Sequence, residues 1–241
     1  MTTHMIQMYP DMITATRWSR DYNVVSNEGD DFGYAWHALM SAAFGSDAPK
    51  PFRVIEKSGR STSILAYTPK SAEELINIAR VEADPTVVKA LGIEQMAGKV
   101  MPSGFSEGQT FGFEVRIRPT VRSSSNGKQE RDAFLVAIEK TPDARVDRGE
   151  IYAEWLSNRF EALGAAMLAA RAEQIGFQKV MRRGQGVGGS GRKIKLLQGP
   201  EAIFTGSLLV KDSEAFNRAI YSGIGRHKAF GYGMLLLKRA A

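Results

Sequence analysis

Tyr34 and His37 stand three residues apart in the segment DFGYAWHALMSAAFG, residues 31–45. An imidazole beside a phenol is a combination that general acid–base chemistry can use at neutral pH, because histidine titrates near 6.5 without special help. At about 100° per residue, Phe32, Leu39 and Phe44 fall on one apolar side of a helix, while Tyr34 and His37 share the polar side. A histidine so placed is either ordinary solvent-facing surface or half of a pair that presents two polar rings to one substrate. The chain has three histidines, His4, His37 and His227, and no cysteine. Thiol nucleophiles, disulfides and zinc–thiolate sites are thereby excluded. The histidines are scattered without carboxylates at ligand spacing, so the sequence offers no metal site. His4 lies near the start of the chain and His227 inside a glycine-rich stretch, and at His37 both readings stay open.

A second chemical signal is GIGRHKAFGYG, residues 223–233. Glycines such as Gly223 and Gly225 let backbone N–H groups approach an anion closely, and Arg226, His227 and Lys228 supply positive charge beside them. GQGVGG, residues 184–189, formally fits G-x-G-x-x-G, but RKIKLL after it reads as a strand rather than the helix that a dinucleotide site needs. Neither stretch has the lysine and hydroxyl spacing of a phosphate-binding P-loop.

Charge is unevenly placed. Lys and Arg number 32 against 26 Asp and Glu, giving +6. From Gln174 to Pro200 there is no acid, while Lys179, Arg182, Arg183, Arg192, Lys193 and Lys195 are all cationic; after Glu214 the chain again carries only bases. Such a block is either a solvated basic loop or a grip on a polyanion, where each phosphate contact releases condensed counterions. No stretch approaches the ~18 apolar residues needed to span a bilayer, and no secretion signal opens the sequence, so a cytoplasmic protein without a membrane partner is expected.

The elements that must hold these groups follow from periodicity. MIQMY is a strand stopped by Pro10; 31–45 is a helix capped by Asp31; PFRVIEKSGRSTSILAY is two strands around a turn. SAEELINIA opens with Ser71 and has Glu74 three residues on, a capping box, and EQMAGKVM adds a strand. The order β-α-β-β-α-β is the ferredoxin-like pattern. PSGFSEGQ, residues 102–109, has linker texture, after which the order recurs: TFGFEVRIRP as strand, FLVAIEKTP as an apolar extension, and residues 151–176 as one long helix. FQKVM and RKIKLL then form a basic hairpin, AIFTGSLLV a strand, DSEAFNRAIYSG a helix capped by Asp212 or Ser213, and MLLL the last strand. The expectation is an α+β chain of two tandem ferredoxin-like (RRM-like) domains, 1–105 and 106–241.

With that order in place, FTGSLLVKDSEAFNRAIYSGIGRHKAFGYGMLLL, residues 204–237, resembles the repeat-associated RNA-binding proteins of CRISPR systems, and among them the CasE endoribonucleases of type I-E Cascade. EVRIRP (114–119), TP (141–142), RWSRD (17–21) and the Y-x-x-H of GYAWH fit the same pattern. The resemblance implies a metal-independent endoribonuclease without cofactors that cuts the stem-loop of a CRISPR repeat, leaving 2',3'-cyclic phosphate and 5'-OH ends, and stays on the 3' hairpin beside other Cascade subunits, especially a backbone subunit. It implies catalysis by His37 with Tyr34. RNA contacts are expected from Arg17, Arg20, Arg116, Arg118, Lys179, Arg182, Arg183, Arg192, Lys193, Lys195, Gly223, Gly225, Arg226, His227 and Lys228. A non-catalytic RNA-binding subunit with the same fold is the alternative.

Overall fold

The computed structural model describes residues 2–24, 32–56, 62–122, 130–141, 145–183 and 194–239, the side chains of 180–183 and 194–197 apart. The chain divides into two compact units. The first comprises Met1–Ser103 with Lys179–Gln198 and Lys228–Gly231. The second comprises Gly104–Gln178, Gly199–His227 and Tyr232–Ala241. A division at residue 105 does not anticipate that the short stretch Lys228–Gly231 belongs with the N-terminal fold.

In the first unit, β1 (His4–Met8) is followed by α1 (Met12–Asp21), α2 (Gly33–Phe44), β2 (Phe52–Ile55), β3 (Ser63–Thr68), α3 (Ala72–Glu82), α4 (Pro85–Leu91) and β4 (Ala97–Val100). The strands form one antiparallel sheet in the order β2-β3-β1-β4, with His4 opposite Thr68 on one side and Val100 on the other. That is the ferredoxin-like strand order. Ile6, Met8, Phe52, Ile64 and Ala66 from the sheet close a core with Trp36, Leu39, Met40 and Phe44 of α2. The apolar stripe predicted for α2 is therefore the face it buries, and Tyr34 and His37 are left half-buried at its side. Ser71 and Glu74 make the expected reciprocal capping box on α3.

Two helices exceed the predicted pattern. Helix α1 forms over the RWSRD segment because Asp11 accepts the Thr14 N–H at 2.8 Å and Ala15 and Trp18 are buried. Helix α4 starts on Asp84 with Pro85 in its first turn and stops at Gly92, whose φ of 63° is left-handed. A Cβ on Gly92 would lie 2.1 Å from the Tyr9 carbonyl oxygen, so only glycine ends the helix there.

The second unit contains β5 (Thr110–Ile117), β6 (Thr120–Arg122), β7 (Glu130–Asp132), α5 (Ala133–Lys140), α6 (Arg148–Glu161), β8 (Ala165–Arg183), β9 (Ile194–Val210), α7 (Ser213–Ala219) and β10 (Leu236–Arg239), the far ends of β8 and β9 passing into the stretch that groups with the first. Its main sheet has the order β10-β5-β9-β8, the same ferredoxin-like order again, with Thr110 opposite Leu209 and Ile117 opposite Ala202; β6 and β7 form a separate hairpin. Phe113, Val115, Phe204 and Leu208 of the sheet pack with Tyr152, Leu156, Phe160 and Phe216 of the helices.

Three assignments differ from the sequence reading. Ala133–Lys140, covering FLVAIEK, is helical: Asp132 caps α5 by accepting the Phe134 N–H at 2.9 Å. The long helix expected over 151–176 ends at Glu161, because Gly164 turns the chain with φ 76° and packs so closely that a Cβ would meet the Asp212 carbonyl oxygen at 2.7 Å. The alanine-rich AAMLAARAEQIG after it is strand, its helix propensity overridden by pairing with β9. The two strands come so close that a Cβ on Gly206 would sit 2.0 Å from the Ala169 carbonyl oxygen. FQKVM and IKLL are the far ends of β8 and β9, neighbours in the sheet, so the two expected hairpin arms are extensions of core strands. Asp212 caps α7 as expected, accepting the Ala215 N–H at 2.9 Å.

Candidate active site

In the first unit α2 carries Tyr34 and His37 one turn apart, with ring centroids separated by 6.4 Å. The short 3-10 turn Lys228–Phe230 packs on this helix. Phe230 lies 5.7 Å from His37 and 6.0 Å from Tyr34, so the three rings touch one another. Burial lowers the His37 imidazole from its ordinary value, and the nearby Lys50 ammonium lowers it further. At neutral pH the ring is therefore uncharged and able to accept a proton. Lys50 is exposed; no spacing or motif marked it in the sequence, since it acts on His37 only once the chain has folded back from α2 into β2. Burial also pushes the Lys228 ammonium below the usual lysine value.

Arg17 and Arg20 are exposed on α1 and, one turn apart, border a shallow cleft with Met12, Ile13, Thr16 and Asp21. Their guanidinium groups are open to a polyanion.

Arg116, Arg118, Arg226 and His227 belong to the second unit, and several of them turn inward. Arg116 donates from Nε and Nη2 to the Glu201 carboxylate at 3.0 and 2.5 Å, lies 4.5 Å from the centre of the Tyr232 ring, and shares Glu201 with the Tyr232 hydroxyl. Arg118 is 3% exposed and donates to the Gln178 carbonyl at 3.4 Å. Both are struts of the β5–β9 layer rather than open phosphate contacts, because alternation along β5 and its continuation aims them at Glu201 and β8. His227 is likewise withdrawn: its side chain is 6% exposed and Nε2 lies 2.7 Å from a Glu130 carboxylate oxygen. Burial lowers the His227 imidazole, and the Glu130 carboxylate opposes this without reversing it. Burial raises Glu130 in turn, but His227 and Arg226 outweigh it and hold the carboxyl below its usual range. Arg226 pairs with the other Glu130 oxygen at 2.8 Å yet keeps 43% of its side chain exposed.

The glycines of this loop are bare for internal reasons. Gly223 and Gly225 have φ of 76° and 70°, and a Cβ on Gly225 would meet the Trp155 ring at 2.9 Å. Gly223 is buried. Lys179 is half-buried near the end of β8; Arg182 and Arg183 continue that strand and Lys195 lies in β9. Arg192 and Lys193 lie outside the described residues. Among the described residues no group of three or more His, Cys, Asp or Glu is placed to hold a metal ion, and no helix is long and apolar enough to cross a membrane.

Two sheets of identical ferredoxin-like order place the chain among proteins with paired domains of that fold, and solved structures of this class match it end to end. A CRISPR endoribonuclease Cse3 bound to a 19-nucleotide RNA is 21% identical, with a TM-score of 0.66 over 99% of this chain and 100% of that one. Thermus thermophilus Cse3 bound to an RNA representing a pre-cleavage complex is 19% identical, with a TM-score of 0.67 over 98% and 99%. A chain of a CRISPR RNA-guided surveillance complex gives 20%, a TM-score of 0.52, and coverage of 98% and 100%. No curated protein matches by sequence. Residues 13–239 match the family described as CRISPR associated protein, and the chain belongs to that family.

Proposed function

We propose that this protein is a metal-independent endoribonuclease that cuts the repeat stem-loops of precursor CRISPR RNA. The observation that carries the reading is the Tyr34–His37 pair on α2, with an imidazole kept neutral by burial and by Lys50, in a chain that belongs to the CRISPR-associated family. In the reaction, the ribose 2'-oxygen upstream of the cut attacks the adjacent phosphorus and the bond to the 5'-oxygen breaks. The 2'-hydroxyl proton passes to neutral His37, and the imidazolium so formed can return it to the departing 5'-oxygen. The products are a 2',3'-cyclic phosphate and a 5'-hydroxyl. Tyr34 hydrogen-bonds the reacting sugar or phosphate, and Lys50 stabilises charge gathering on the non-bridging oxygens.

A-form RNA presents a major groove too deep and narrow for side-chain readout, so the stem is held through its phosphates and shape. Arg17, Arg20, Arg226 and Lys228 supply that hold, with Lys179, Arg182, Arg183, Arg192, Lys193 and Lys195 of the basic β8–β9 extension along the stem. The likeness to a chain of a surveillance complex supports retention of the cut hairpin beside other Cascade subunits, in the cytoplasm where such RNA is made. The test is to incubate the protein with repeat RNA in EDTA and identify the product ends. A 2',3'-cyclic phosphate, lost when the hydroxyl at the cut is replaced by hydrogen, is expected. Tight binding without that product would make the chain a non-catalytic RNA-binding subunit.

A further inference from the structure

We propose that Phe230 is a positioning residue that holds Tyr34 and His37 in register, so that the glycine-rich segment serves the reaction through α2 and not by charge alone. The proposal rests on the endoribonuclease reading for its kinetic consequence, but the contacts behind it do not.

Helix α2 by itself leaves His37 at the edge of its polar side, where an imidazole would sample several staggered rotamers in water. Phe230 removes that freedom. Its ring stands edge-on to His37, with planes at 86° and centroids 5.7 Å apart, and tilts at 37° over Tyr34 at 6.0 Å. Edge-to-face rings within this range attract through their quadrupoles beyond simple burial. Because one phenyl ring meets both polar rings, it fixes their mutual angle as well as each separately.

The backbone is fitted for the same contact. A Cβ on Gly33, in the first turn of α2, would lie 2.4 Å from the Phe230 carbonyl oxygen. The absence of a side chain at Gly33 is therefore what lets the 3-10 turn sit against the helix. On the other side, Gly231 has φ 85°, a left-handed conformation that turns the chain away directly after Phe230. A glycine on each side of the contact indicates that close approach of turn to helix is the feature being served.

The physical consequence concerns geometry more than affinity. Proton transfer requires the imidazole within hydrogen-bond reach of the 2'-hydroxyl, and a displacement of about 1 Å can cost up to ~10²-fold in rate. The phenyl ring also contributes to the burial that lowers His37, whose charged neighbour is Lys50 and whose titratable ring contact is Tyr34.

The experiment uses the full chain and the variants Phe230→Ala, Phe230→Leu, Phe230→Tyr and Gly33→Ala, each checked for folding by circular dichroism. Two readouts are taken: the NMR titration of the His37 ring without RNA, and single-turnover cleavage of a repeat hairpin alongside its Kd. Phe230→Ala is expected to raise the His37 midpoint toward its ordinary value and to slow cleavage by ~10- to 100-fold with Kd within about two-fold. Phe230→Leu should lie between, Phe230→Tyr should restore both readouts, and Gly33→Ala should reproduce Phe230→Ala by displacing the turn. If Phe230→Ala fails to fold, Phe230→Leu and Gly33→Ala decide. A shifted titration in a protein that cuts no repeat RNA would keep the positioning role and remove the nuclease reading. Unchanged titration and unchanged rate would overturn the proposal and leave the nuclease reading standing.

Discussion

His227 and Glu130 are joined at 2.7 Å in the second unit, and Arg226 takes the other oxygen of the same carboxylate at 2.8 Å. Two consecutive residues of the glycine-rich loop are thus tied to one carboxylate of β7. The pair has a consequence for stability. His227 and His37 both titrate below 6.5 in the fold, through burial first. Groups depressed in this way contribute stability that is present above the unfolded value and lost as pH falls toward the folded one. The melting temperature is therefore expected to drop from pH 7 to pH 5, and His227→Gln should flatten that drop. A melting temperature indifferent to pH in this window would contradict the burial of both rings.

Catalysis should follow the same chemistry at His37. A general base works when unprotonated, so the cleavage rate should rise with pH through a midpoint below 6.5 and be level at neutral pH. Single-turnover rates from about pH 4.5 to 8 check this, a range that brackets an ordinary imidazole. An inflection clearly above 6.5 at sub-saturating concentration, where the profile follows the free protein, would contradict the lowered His37 imidazole.

Arg116 and Arg17 separate internal cations from RNA-facing ones. The Arg116–Glu201 pair is buried, with side chains 11% and 8% exposed, so Arg116→Ala leaves a buried carboxylate uncompensated and should cost ~3–5 kcal/mol of stability. Arg17→Ala should leave the melting temperature unchanged but reduce the salt dependence of RNA binding by ~0.7 to 0.9 in slope, one phosphate contact's worth. Thermal melts and binding titrations from about 50 to 300 mM salt, in the range where such slopes are read, distinguish the two. A stable Arg116→Ala protein with a reduced slope would return Arg116 to the RNA surface.

The second half of the loop tests its glycines. Gly233 has φ 78°, and a Cβ there would meet the Ile224 carbonyl oxygen at 2.1 Å. Gly233→Ala should destabilise the chain by ~1–3 kcal/mol or more from strain alone. A Cβ on Gly104 would have no neighbouring atom within 4 Å, so Gly104→Ala should leave the melting temperature level or slightly raised. Equal effects would show that the loop is not packed as described.

Local signals in the sequence were faithful where one residue type has one physical use. The Ser71–Glu74 capping box, the Asp212 cap and the apolar face of α2 formed as their spacing predicts. Propensity misled where pairing outweighs it: Ala165–Gln174 has the composition of a helix, but β9 offers it an edge and Gly164 breaks the helix before it. Charge misled in a similar way, because Arg116, Arg118 and His227 look like open cations until Glu201, the Gln178 carbonyl and Glu130 claim them. Lys50 and Phe230 escaped notice because their roles depend on contacts with α2 made across 13 and 193 residues of chain, which no local pattern encodes.

The most direct measurement is single-turnover cleavage of a repeat hairpin in EDTA by the wild-type chain and by His37→Ala, with Kd determined for both. The account predicts loss of ~10²- to 10⁴-fold in rate with binding within a few-fold. Cleavage by His37→Ala at the wild-type rate would contradict it.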